Sequence, residues 1–173
     1  MNYLLPSRQS LYFCLVAVSA AIFGSCYSFT GASVPQHWNS IALPLFEDES
    51  SYGQPALREK ITNVLIEKFQ RDNTIAISDR AAASVEMKGT ITSVEADQPL
   101  AVSQGTQAAR LQIILRASVT LYDNTLKKQA WNKTFSATGD YAPSGGLSER
   151  EAGLQKAIEK LTDDVLLETV SAW

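Results

Sequence analysis

The sharpest alternation of apolar and polar positions in this chain runs from Leu111 to Leu121. Leu111, Ile113, Leu115, Ala117, Val119 and Leu121 fall on one parity, and Gln112, Ile114, Arg116, Ser118 and Thr120 on the other. A period of two over that length predicts a strand with one covered face. Val85–Ser93 repeats the pattern, with Val85, Met87 and Ile91 inward and Glu86, Lys88, Thr90 and Thr92 outward. Gly89 takes an inward position, as where another side chain crosses the strand. After the turn residues Asp123-Asn124, Gln129–Thr138 returns with Trp131, Phe135 and Ala137 on its apolar face. The short runs 40–46 (SIALPLF) and 74–78 (TIAIS) read as further strands, the first followed by an acidic turn, Glu47–Ser51. Pro44 has no N–H to give to a ladder and belongs at an edge or a bulge.

Two segments carry a helical period instead. Leu57, Ile61, Leu65 and Phe69 recur every four residues, joined by Val64, and Pro55 suits the first turn of a helix over 55–72. Leu154, Ile158, Leu161 and Val165 line a second helix, opened by Ser148 and Glu151 at capping-box spacing. The order is β-α-β-β-β-β-α. One apolar and one polar face per strand predicts an α+β domain: one mostly antiparallel sheet of four to five strands, with two helices packed on one face.

The N-terminus has a different texture. Leu11–Phe23 is an apolar run of 13 residues broken only by Ser19, and Arg8 is the only charged residue before Glu47. A short basic region, an apolar region and the small residues Gly24 and Ser25 describe an export signal. The alternatives are a retained anchor, for which about 20 apolar residues would be needed to span the hydrocarbon, and ordinary secretion. Residues 23–26 (FGSC) resemble the lipobox of bacterial lipoproteins, with Phe23 where Leu is usual. That resemblance implies cleavage before Cys26 and acylation of the new N-terminus; Tyr27, where Asp would favour inner-membrane retention, points to the outer membrane. Residues 1–25 are thus expected to be a signal peptide, 26–40 a lipidated tether and 41–173 a single domain. The tether's Tyr27, Phe29 and Trp38 are many aromatics for a plain linker.

Loss of residues 1–25 removes one positive charge from a chain of net charge −3, and leaves 148 residues, enough for one real core. Mild acidity without a basic stripe argues against a nucleic-acid partner. Cys14 goes with the signal and Cys26 carries lipid, so the domain has no disulfide or thiolate ligand. His37 is the only histidine and sits in the tether, which leaves neither a histidine-based triad nor an N/S metal site. No phosphate-binding glycine motif occurs, and no cofactor is expected. Glu47-Asp48-Glu49 is a solvated loop rather than a cation site, since consecutive carboxylates diverge. An enzyme would need a carboxylate pair, and nothing in the sequence places one.

Two features remain for binding. Asp97–Ala109 is a long, weakly charged loop, functional or merely mobile. The basic residues Lys88, Arg110, Arg116, Lys127, Lys128 and Lys133 fall on or beside the polar faces, with Lys88, Arg110 and Arg116 on the outward parity. They form either an ordinary solvated surface or an anion-contacting one, for which Arg116, central in the longest strand, is the best candidate.

Residues 26–33 (CYSFTGAS), Ile41–Phe46, Leu57, Leu65–Phe69, Gly89-Thr90-Ile91 and the final Val170-Ser171-Ala172-Trp173 together resemble the LptE family of the Bacteroidetes/Chlorobi type. The resemblance implies an outer-membrane lipoprotein, held by lipid at Cys26, that plugs a β-barrel partner of the LptD kind and handles lipopolysaccharide. Ile41–Phe46, the acidic turn and the first helix also resemble curli-secretion and penicillin-binding-protein-activator lipoproteins, which would imply a regulatory or secretory role.

Overall fold

The computed structural model describes residues 34–100 and 110–171. Cys26, the signal segment and most of the tether lie outside these residues, as do 101–109 of the loop. The elements are β1 (Ser40–Ala42), β2 (Glu47–Asp48), α1 (Leu57–Asp72), β3 (Ala76–Ile77), β4 (Val85–Pro99), β5 (Leu111–Asp123), β6 (Lys128–Tyr141), a 3₁₀ turn (Pro143–Gly145) and α2 (Gly146–Ser171).

The predicted α+β class is what the chain adopts, with two differences: the sheet is mixed, and β2 brings it to six strands rather than four to five. The strand order is β3-β1-β4-β5-β6, and β2 pairs separately with β4. The long strands β4, β5 and β6 are antiparallel. The short ones run parallel to their neighbours: β1 to both β3 and β4, and β2 to β4. A β1–α1–β3 crossover of this kind buries the helix against the sheet, whereas hairpins would have left it outside.

β1 and β2 form one line along β4, interrupted at Pro44. Ala42 pairs Glu86 and Glu47 pairs Thr90, so four residues (43–46) face three on β4. The extra residue forms a bulge where the proline lacks its donor. The bulge turns Leu45 outward and Phe46 into the core, 1% exposed. Phe46 explains Gly89: a Cβ there would stand 2.2 Å from the phenyl ring. The amide of Phe46 donates to Thr62 Oγ1 at 3.1 Å, and that hydroxyl donates to the carbonyl of Arg58, tying the bulge to α1.

Both helical stripes close over one face. Leu57, Ile61, Leu65 and Phe69 of α1, and Leu154, Ala157, Ile158, Leu161 and Val165 of α2, are buried against Val85, Met87, Ile91 and the inward residues of β5. α2 reaches β6 by backbone approach, since a Cβ on Gly139 would stand 1.8 Å from the carbonyl oxygen of Gly153. Lys68, 8% exposed, joins the helices: its ammonium donates to the Glu159 carbonyl at 3.1 Å and pairs with Asp163.

Three local expectations are corrected. Glu47–Asp48 is a strand rather than part of a turn, because its backbone pairs with β4 while both carboxylates stay in water. β4 continues to Pro99 through a register shift between Glu95 and Gln98, with Asp97 at φ 58, so the loop begins later than Asp97. α2 starts at Gly146, placing Ser148 inside the helix; Glu151 pairs with Lys60 of α1 instead of reaching back to a cap.

Leu115 is fully buried at the centre of the covered face, and Ile114 is half-buried on the other. Leu115→Ala should cost about 2–5 kcal/mol in urea unfolding, with Ile114→Ala clearly milder. The reverse ranking would mean the strand is read in the wrong register.

Candidate functional site

The uncovered face of β4–β6 is where the outward parity puts its side chains, and nearly every charge on it is answered by a neighbour. Arg116 pairs with Glu95 and donates to Ser93 Oγ at 3.2 Å, both on the adjacent strand. Arg110 pairs with Asp140 of β6. Lys88 lies 3.9 Å from Glu86, which is bound more closely, at 2.6 Å, by Arg80. Lys88 is the loosest of the three candidates, 60% exposed against 36% for Arg116 and 44% for Arg110.

The three do not converge. Lys88 stands opposite Thr120 and Ser93 opposite Arg116, so four residues of β5, about 13 Å, separate the two. Arg110 lies six residues from Arg116 in the other direction. Between them the face is hydroxyl-rich: Thr90, Ser118, Thr120, Thr134, Ser136 and Thr138. Chemically this is a surface of hydroxyls and screened ion pairs, each pair worth little in water, with a concavity of about 400 Å³ beside Lys88, Thr90, Ser118 and Thr120. It suits broad polar contact better than capture of one anion. Lys133 belongs elsewhere: it faces Val119 on the helix side and pairs with Glu168 of α2.

One end of the sheet gathers Asp97, Tyr141 and Arg150. The buried Tyr141 hydroxyl donates to Asp97, and Arg150 lies 3.3 Å from the same carboxylate and 5.7 Å above the Tyr52 ring. Burial first, and then the bond to Asp97, push the Tyr141 phenol up to about 12. Beside this network an open cleft of about 530 Å³ runs between Tyr52 and Leu147.

The opposite end holds a buried carboxylate that the sequence marked only as turn chemistry. Asp123, 1% exposed, closes β5. Its Oδ1 accepts the amide of Leu126 at 2.7 Å; its Oδ2 accepts the Trp38 indole at 2.8 Å and lies 2.6 Å from His37 Nε2. Asn124 ties the same turn to the segment before β4, through the carbonyls of Ala83 and Ser84. Trp38 is itself 3% exposed, so the segment leading into β1 is riveted to the β5–β6 hairpin. His37 has a structural partner there. A histidine and a tryptophan adjacent in sequence were the visible signal; that both serve one aspartate 85 residues away was not.

Among the described residues no group of three His, Cys, Asp or Glu lies close enough to hold a metal, and no helix is long and apolar enough to cross a membrane.

The sequence profile of the LptE lipopolysaccharide-assembly family matches residues 38–169, from the Trp38 rivet to the last turn of α2. The chain belongs to the LptE family. Solved structures with a similar fold include PelC of Paraburkholderia phytofirmans, crystallised as a dodecamer. It is 12% identical, with a TM-score of 0.54 over 82% of this chain and 95% of that one. Protein XCC0632 of Xanthomonas campestris is 11% identical, with a TM-score of 0.53 over 80% and 90%. Rare lipoprotein B of Shewanella oneidensis is 18% identical, with a TM-score of 0.47 over 75% and 92%. At such identities the likeness extends to the fold alone. No curated protein matches the chain. Membership of the LptE family assigns lipopolysaccharide assembly to this domain.

Asp123 gives the domain an acid limb. Burial alone would raise its pKa, but the Leu126 amide, the Trp38 indole and His37 outweigh it and hold the carboxyl below its ordinary 3.8. A depressed folded pKa contributes stability that is present above the unfolded value and lost as pH falls through the folded one. Stability should therefore decline below about pH 4. Asp123→Asn should cost about 1–3 kcal/mol at neutral pH, with the gap to wild type closing as pH falls. A gap unchanged from pH 7 to pH 2.5 in chemical unfolding would show that the charge is immaterial.

Proposed function

We propose that this LptE-family protein is an outer-membrane lipoprotein, anchored through acylated Cys26, that seats its domain in a β-barrel of the LptD type during lipopolysaccharide assembly. The family match over residues 38–169 carries the reading. Residues 1–25 then act as signal peptide, and residues from 26 up to the domain as tether. The self-neutralised face of β4–β6 supports it physically. A face of hydroxyls and paired charges can lie along a barrel's polar inner wall without burying an uncompensated ion, which would be costly. Two acyl chains or more hold a protein stably at a bilayer, so no membrane-crossing helix is required.

A pull-down of the mature protein from detergent-solubilised membranes should recover one large β-barrel protein in stoichiometric amount. Mass spectrometry of the same material should show an N-terminus at acylated Cys26. A ring of identical subunits would favour the curli-secretion reading, a peptidoglycan synthase the activator reading, and an intact Met1–Ser25 segment would remove the anchor.

In this reading Arg116, Arg110 and Lys88 are the residues of the outward face that meet barrel or saccharide. Glu95 competes for Arg116, so the two should respond oppositely. Arg116→Glu should weaken binding to the barrel or to lipopolysaccharide, most at low salt where charge is screened least. Glu95→Gln should strengthen lipopolysaccharide binding by releasing the guanidinium. Arg116→Glu should lower stability by about 1 kcal/mol, because the new carboxylate would lie beside Glu95. Equal binding of wild type and both variants at two salt concentrations would return Arg116 to the role of a solvated surface residue.

A further inference from the structure

We propose that the tip of the β5–β6 hairpin, Leu126-Lys127-Lys128, is a second membrane contact that docks on anionic phospholipid headgroups beside the lipid anchor. The inference rests on the reading of Cys26 as the acylated residue, and adds to it which end of the domain faces the bilayer.

The argument begins with the rivet. His37 and Trp38 are fixed to Asp123, the residue that opens the hairpin turn. Seven residues lie between Cys26 and Val34, the first described residue, and those eight Cα–Cα steps span at most about 29 Å in any conformation. The acyl chains cannot lie far from this end of the sheet, and the hairpin tip is part of that end.

The tip has the composition such a contact needs. Leu126 is a large apolar residue standing 52% exposed. Lys127 and Lys128 are exposed, and neither has an ion-pair partner among the described residues, in contrast to Lys88, Arg110, Arg116 and Lys133. Lys127 holds a left-handed backbone, φ 54, which lets the chain turn tightly at the tip. The tip is also held in place: the Leu126 amide binds Asp123, and Asn124 binds the carbonyls of Ala83 and Ser84. The nearby segment between β3 and β4 brings Arg80, satisfied by Glu86, and the exposed carboxylate of Asp79, so the hairpin lysines supply the excess positive charge. An ammonium near an anionic membrane surface contributes about fivefold to attachment, the equivalent of roughly 1 kcal/mol. A leucine beside two such groups can enter the headgroup boundary.

The test uses the mature acylated protein reconstituted into vesicles of phosphatidylethanolamine and phosphatidylglycerol containing spin-labelled lipid. Single-cysteine fluorophores are placed at Leu126→Cys and, as a control at the opposite end, at Leu147→Cys, which is 81% exposed. The Leu126 label should be quenched at least threefold more than the Leu147 label. The difference should shrink in Lys127→Gln/Lys128→Gln, and in vesicles of neutral lipid. Mass spectrometry reads acylation on the same samples. An acylated protein whose two labels are quenched equally overturns the hairpin contact and leaves the anchor standing. A protein unmodified at Cys26 overturns both.

Discussion

β5 is the strand on which the domain depends, because its inward residues Ile113, Leu115, Ala117, Val119 and Leu121 are all fully buried under two helices. A central strand covered on one side only must satisfy two demands at once. Its inner row has to match the apolar stripes of α1 and α2, and its outer row has to live with water. The inner row fixes the register of β4 and β6, since a slip of one residue would move every apolar group to the solvent. The helices are then placed by what they meet. Phe46 lies across Gly89, and Gly153 lies on Gly139, both at distances where a Cβ would collide. Two glycines of the covered face thus set how near a ring and a helix can come to it.

The outer row follows from the same constraint. The polar residues of β4–β6 are neutralised by near neighbours: Arg116 by Glu95 on the adjacent strand, and Asp140 by Arg110 and by Lys156 of α2. The Asp140 carboxyl shows the effect. Burial would raise its pKa, yet its own backbone amide, Lys156 and Arg110 hold it below the ordinary value. A surface that answers its own charges has no strong field of its own. It suits a protein that lies against a polar wall, where contact area and hydrogen bonding matter more than attraction at a distance.

The long strands were legible in the sequence because one-sided burial writes a period of two, and the helices because their stripes repeat every four residues. What escaped was everything non-local or carried by backbone alone. β2 is hidden because Glu47 and Asp48 pair through their main chain while their side chains advertise a loop. Parallel pairing of β1 with β3 and β4 leaves no local trace. The candidate bases were placed on the right face, but their acid partners lie 21 residues away for Arg116 and 30 for Arg110, beyond the reach of pattern reading. Lys133 is the exception: it was grouped with the polar faces, but it shares the parity of Trp131 and Phe135, and the structure puts it on the helix side.

The rivet at Asp123 links the two parts of the chain that the sequence separates. A tether of Ser, Thr and Gly would ordinarily leave a domain free to tumble at the end of its leash, and the leash would decide little about orientation. Here the segment leading into β1 is bound to the hairpin carboxylate through His37 and a buried tryptophan. Shortening a leash by fixing its domain end raises the effective concentration of nearby surfaces at the anchor. Burying Asp123 is favourable only because three donors meet it, two of them from the segment that carries the leash. The same three bonds therefore hold the segment before β1 and the β5–β6 hairpin together. Loosening them would cost the hairpin its buried partner and the tether its fixed exit together.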